Sequence, residues 1–105
     1  MPLVWTVFGF NIYFWSNENG EPIHFHISKG IRGEHNTKFW LYSDGTIHLC
    51  HNNSRYKKQE IKKIVDLQNY PEFISRLTYE WYCKFGRVTF INRYNTCMVV
   101  VSKLG

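Results

Sequence analysis

A chain of 105 residues with 44% hydrophobic, 18% aromatic and 20% charged side chains has the composition of one ordered domain, too short for two independent cores. It contains no apolar run long enough to span a bilayer, and Met1 to Phe14 lacks a basic leader and a small-residue cleavage site, so the expectation is a cytoplasmic protein without a membrane partner. The net charge of +5 is lopsided, residues 1–50 carrying −1 and residues 51–105 ten basic against four acidic side chains, an excess that attracts a polyanion such as nucleic acid.

In chain order, Leu3 to Phe8 and Ile12 to Trp15 are aromatic, β-branched runs about Gly9, which predicts an opening hairpin. The cluster from Ser16 to Pro22 predicts a turn, and Pro22-Ile23-His24-Phe25-His26-Ile27 a strand. Because a strand alternates its side chains, His24 and His26 share one face, left for chemistry or hydrogen bonding, while Ile23, Phe25 and Ile27 pack on the other. Lys29 to Gly33 reads as a loop. Thr37 to Tyr42 and Thr46 to Cys50 flank Ser43-Asp44-Gly45, a strong hairpin signal.

The period then changes. Ile61, Ile64, Val65 and Gln68 recur at helical spacing with Lys57, Lys58, Lys62 and Lys63 between them, predicting an amphipathic helix that starts near Asn53 to Tyr56 with Ser54 as N-cap. Pro71 suits the first turn of a second helix, whose stripe Ile74, Leu77, Trp81 and Phe85 ends at Gly86. Arg87 to Ile91 and Thr96 to Val101 predict a terminal hairpin. The fold class that follows is α+β: a curved antiparallel sheet of about five strands, two packed helices and a C-terminal β-hairpin. The predicted core is Val4, Phe8, Ile12, Phe14, Ile23, Phe25, Ile27, Phe39, Leu41, Ile61, Ile64, Leu77 and Trp81.

Gly9-Phe10-Asn11-Ile12-Tyr13-Phe14, Ser16-Asn17-Glu18, Pro22-x-His24-x-His26, Lys38-Phe39-Trp40-Leu41 and Glu60-Ile61-x-x-Ile64 ahead of Trp81 together resemble a family of short bacterial proteins known as a domain of unknown function, number four-one-six-zero. The resemblance covers roughly residues 2–86, so residues 1–86 read as a core domain and residues 87–105 as a hairpin extension of it. It implies a bacterial cytoplasmic protein from the setting of toxin–antitoxin-like or mobile-element genes, without implying a reaction. Where the family usually has Ser at the helix start this chain has Lys57, which moves the expected cap to Ser54.

His24 and His26 admit three chemistries. They have metal-ligand spacing, but a third ligand must come from Glu18, Glu21, His48 or Cys50, and no cofactor is expected. They are candidate catalytic residues of a ribonuclease, acting as base and acid with Arg32 or Lys38 stabilising the developing charge. The bland reading is that both donate hydrogen bonds to backbone carbonyls or to Glu21. Cys50, Cys83 and Cys97 are odd in number and lack C-x-x-C spacing, so no disulfide framework or zinc ribbon is indicated, and Cys50 with His48 and His51 is weak as a nucleophilic site because His51 is expected on the opposite strand face.

For nucleic acid, the candidate contacts are Arg32, Lys38, Arg55, Lys57, Lys58, Lys62, Lys63 and Arg76, with Tyr13, Trp15, Trp40 and Tyr42 as stacking residues. The leading expectation is a small nucleic-acid-interacting protein, RNA preferred over DNA, of a bacterial toxin–antitoxin, defence or phage-related system. The alternatives are a protein-binding inhibitor or antitoxin acting through the aromatic surface on a nucleic-acid-binding partner, and the ribonuclease.

Overall fold

The chain turns first at Phe8-Gly9, where both residues have positive φ (54° and 79°), the two-residue loop whose twist matches that of its flanking strands. It joins strands β1 (Leu3–Val7) and β2 (Phe10–Tyr13), paired antiparallel with Val7 opposite Phe10. The computed structural model describes residues 3–16, 20–30, 37–91 and 98–101. Strands β3 (His24–Ser28), β4 (Thr37–Leu41) and β5 (Ile47–Asn52) continue the meander, giving one five-stranded antiparallel sheet in sequence order. The Asp44-Gly45 turn closes β4 on β5 as its sequence predicts, with Tyr42 N–H donating to Thr46 O at 2.9 Å.

Helix α1 (Lys58–Val65) follows a loop organised by one side chain. Asn52 Oδ1 accepts from Thr37 Oγ1 at 2.9 Å and from Tyr56 N–H at 3.0 Å, while its amide donates to Tyr56 O at 2.9 Å, so β4, β5 and the approach to α1 are tied at one point. The expected cap at Ser54 is corrected: the N-cap is Lys57, the position the resemblance marks as a helix start. An ammonium cannot accept a hydrogen bond, so Glu60 closes the first turn from inside by accepting from Lys57 N–H at 3.1 Å. A 3₁₀ turn (Asp66–Asn69) carries Gln68, whose Oε1 accepts from Ile47 N–H at 3.0 Å.

Helix α2 (Pro71–Phe85) starts on Pro71 and stops at Gly86, whose φ of 79° is the left-handed conformation that satisfies a helix end. A second sheet pairs β6 (Val88–Ile91) with β7 (Met98–Val101). β6 is stitched to the main sheet: Ile23 N–H donates to Thr89 O at 2.8 Å and Ser43 N–H to Ile91 O at 3.1 Å, and Val88 is fully buried. The turn of that terminal hairpin lies outside the described residues.

The core lies between the helices and the face carrying Ile12, Phe25, Ile27 and Phe39. Phe25 stacks on Phe39 at 5.1 Å and meets Phe73 of α2 edge-on at 5.4 Å. Eleven of the thirteen expected core residues are buried. Ile61 is half-buried against the core, and Phe8 is 51% exposed because it forms the hairpin turn instead of ending β1. Phe10, Tyr13, Ile47, Leu67, Phe73 and Val88 fill the core in addition.

Candidate functional site

The opposite face of the sheet carries the histidines, as strand alternation predicts, and it is covered. Every residue of β3 is buried, His24 completely and His26 to 4% exposure. Pairing sets Tyr13 opposite His26, His26 opposite Lys38, and His24 opposite Trp40. The two imidazoles are 5.2 Å apart between centroids, and His24 also meets Trp40 at 5.4 Å and Trp81 at 5.1 Å, both edge-on. His24 Nδ1 lies 2.8 Å from Pro22 O; a carbonyl only accepts, so Nδ1 carries the proton and locks the turn to the strand.

Lys38 belongs to this interior. Its side chain, 13% exposed, forms an ion pair with Glu21 at 2.9 Å, and its ammonium lies 4.2 Å from the centroid of Trp40. Glu21 thus balances the charge of this candidate phosphate contact. Tyr13 is corrected as a stacking platform: it is fully buried, against Trp15 and His26. Trp15, Trp40 and Tyr42 are half-buried, and Tyr42 stacks on His48 at 3.8 Å.

The register of β5 corrects a further expectation. An extra residue in β5, Cys50, opposite the step from Lys38 to Phe39 sets His51 opposite Lys38 and leaves His48 opposite Trp40. Lys38 and Trp40 share a face, so His48 and His51, three apart in sequence, share it too. His48 is fixed elsewhere: Thr46 Oγ1 donates to Asp44, so His48 Nε2, 2.7 Å away, must donate to Thr46. Among the described residues no group of three His, Cys, Asp or Glu is arranged to hold a metal ion.

The cations of the second half lie outside. Arg55, Lys57, Lys58, Lys62 and Lys63 are all exposed, and among the described residues none of them forms an ion pair. Arg55 itself sits in left-handed backbone (φ 59°), ahead of the helix. Lys29 is held instead by Glu60, whose carboxyl is lowered from its ordinary range by that hydrogen bond and by the Lys57 backbone N–H. Arg76 pairs with Glu80 one turn on at 3.1 Å and stands apart on α2. Arg32 lies outside the described residues, as do Glu18 and Cys97.

Beside the basic helix is a feature the sequence reading missed. Phe8 and Tyr70, 51% and 53% exposed, rim a groove of about 270 Å³ with Trp5 and Phe73 in its wall and Glu72 as its one charged side chain. Lys63 Nζ lies 5.8 Å from the Phe8 ring centroid. The signal that could have found it is Phe8-Gly9 itself, a two-residue spacer between strand-like runs.

Among the described residues no helix is long and apolar enough to cross a membrane. No curated protein and no solved structure matches the chain. Residues 9–74, which run from the hairpin turn through β5 and α1 into the first turn of α2, match the family described as Domain of unknown function (DUF4160), and the chain belongs to that family.

Proposed function

We propose that this protein binds nucleic acid through the exposed face of α1 and the loop before it, with single-stranded RNA preferred over DNA, in the cytoplasm of a bacterium and in a toxin–antitoxin, defence or phage-related setting. The observation that carries the reading is the set Arg55, Lys57, Lys58, Lys62 and Lys63, exposed and without ion pairs among the described residues. Cations kept in water and outside ion pairs release counterions from a phosphate backbone at little desolvation cost. An unpaired strand is favoured because an aromatic ring, Phe8, is exposed beside Lys63, and Tyr70, also exposed, lines the same groove. A ribonuclease built on His24 and His26 has less support, because both rings are buried behind Trp40, Trp81 and Tyr13.

The test is fluorescence anisotropy of a labelled single-stranded RNA and a duplex DNA across salt, with a Lys57/Lys58/Lys62/Lys63→Glu variant alongside. Four phosphate contacts on a single strand give a log–log salt slope of about −3. Binding with that slope, tighter for RNA and lost in the charge-reversed variant, is the expected result. Absence of binding at low salt overturns the reading and leaves a protein partner, as for an inhibitor or antitoxin.

A further inference from the structure

The two edges of the main sheet are finished differently. At β5 the edge is occupied: Ile47 N–H donates to Gln68 Oε1 at 3.0 Å, and Asn52 ties the end of the strand to Thr37 and Tyr56. β1 is the opposite edge and, among the described residues, pairs with β2 alone. Its register fixes which groups face outward. Val7 and Phe10 flank the two-residue turn and so form a hydrogen-bonded pair, which makes the next pair, Thr6 with Asn11, one that exchanges no backbone bonds. Thr6, itself exposed, therefore points its N–H and C=O away from the sheet.

The groove lies on this same edge. It is lined by Trp5 and Val7, the residues on either side of Thr6, and by Leu67, Tyr70 and Phe73 from the 3₁₀ turn and the start of α2, and its surface is almost wholly apolar. A strand alternates its side chains, so a residue paired with Thr6 sets its two neighbours opposite Trp5 and Val7, over the groove. The volume of about 270 Å³ exceeds the roughly 150 Å³ of an apolar cavity that holds benzene, and leaves room for both side chains. Charge separates the candidate occupants. Lys63, exposed and outside ion pairs among the described residues, stands 5.8 Å from the Phe8 ring at the end of β1. Glu72 is in the first turn of α2, where the positive end of the helix offsets its charge. A second copy of the chain brings its own charge of +5 and is repelled, whereas an acidic segment is attracted.

We propose that the β1 edge takes an extended, acidic segment of another protein as a sixth strand, with one residue paired to Thr6 and two apolar side chains, two positions apart, in the groove. Backbone bonds then supply affinity and the groove supplies selectivity. The proposal does not depend on the nucleic-acid reading, although a bound segment covers Phe8.

The probe is a labelled peptide with the core Thr-Val-Thr-Ile-Thr between glutamates, followed by fluorescence anisotropy. The same peptide is also made with lysine flanks, with an N-methyl group on the central threonine, and with one on the neighbouring valine. The expected result with wild-type protein is binding of the acidic peptide at least tenfold tighter than the lysine-flanked one. Methylating the central threonine, whose N–H meets Thr6 C=O, weakens binding at least tenfold, and methylating the valine, whose N–H faces away, leaves it unchanged. Thr6→Pro removes the outward donor without breaking the ladder to β2, so it loses the peptide and keeps its melting temperature. Lys63→Glu removes the preference for acidic flanks. No binding of the acidic peptide at low salt overturns the proposal. Equal losses from the two methylations overturn strand addition, and a concentration-dependent dimer that Thr6→Pro dissolves overturns it by assigning the edge to a second copy.

Discussion

The histidine face of the sheet and the basic face of α1 hold similar numbers of polar side chains and treat them in opposite ways. On the sheet, His24, Lys38 and His48 are tied into a carbonyl, a carboxylate and a hydroxyl, with indole and phenol rings packed around them. On α1 and the loop before it, four lysines and Arg55 stay in solvent and, among the described residues, outside ion pairs. Buried polar groups gain stability only when satisfied, whereas exposed charges add little to stability and remain available to a partner. The lesson is that His24, one of the two residues most suggestive of chemistry in this sequence, is held by the architecture through Pro22 O.

That contrast can be broken most directly at His24. Replacing it by alanine leaves a cavity among Trp40, Trp81 and His26 and strips Pro22 O of its donor. The expected loss, read from the midpoint of urea unfolding, is about 1–3 kcal/mol, with the salt slope of RNA binding unchanged. A His24→Ala protein as stable as wild type but without binding or cleavage would place the function on the sheet.

A smaller effect of opposite sign is expected at Phe8. Phe8→Gly removes a bulky residue from left-handed backbone (φ 54°) and is expected to raise stability by about 1 kcal/mol while it lowers affinity for RNA. A loss of both would mean that Phe8 acts in packing and is no strained contact residue.

The smallest effect is a pH dependence. Lys29 and the Lys57 N–H hold the Glu60 carboxyl below its ordinary value of 4.5. The stabilisation is complete above the unfolded value near 4.5 and is lost as pH falls through the lower, folded one. Glu60→Gln should therefore flatten the acid limb of melting temperature against pH and leave neutral pH nearly unchanged.

Where local chemistry decides the outcome, the sequence was legible. Asp44-Gly45 gave its hairpin, and Pro71 and Gly86 bounded α2. The family resemblance rested on the same local patterns, and the match over residues 9–74 lies within the stretch they cover. What was illegible depends on long-range geometry. A bulge in β5 changes which histidines share a face, and no local pattern encodes it. Lys38 reads as a free cation until pairing brings Glu21 within 2.9 Å, and Tyr13 reads as exposed until Trp15 and His26 close over it. Phe8 reads as core, an aromatic residue at the end of an apolar run, but the turn begins one residue earlier and puts it at the surface.

The position of β1 has a colloidal consequence. It is the first strand in the sheet order and, among the described residues, pairs with β2 alone, yet its sequence Leu-Val-Trp-Thr-Val has no lysine, glutamate or proline to discourage another strand from adding to it. A bulge between Leu3 and Trp5 interrupts the ladder, and the net charge of +5 repels approaching copies. The second safeguard fades as the Debye length shrinks to about 10 Å at 0.1 M salt. Ionic strength thus acts in opposite senses on the two edges of the molecule, weakening attraction of the basic helix for phosphates while strengthening the tendency of uncharged edge strands to meet.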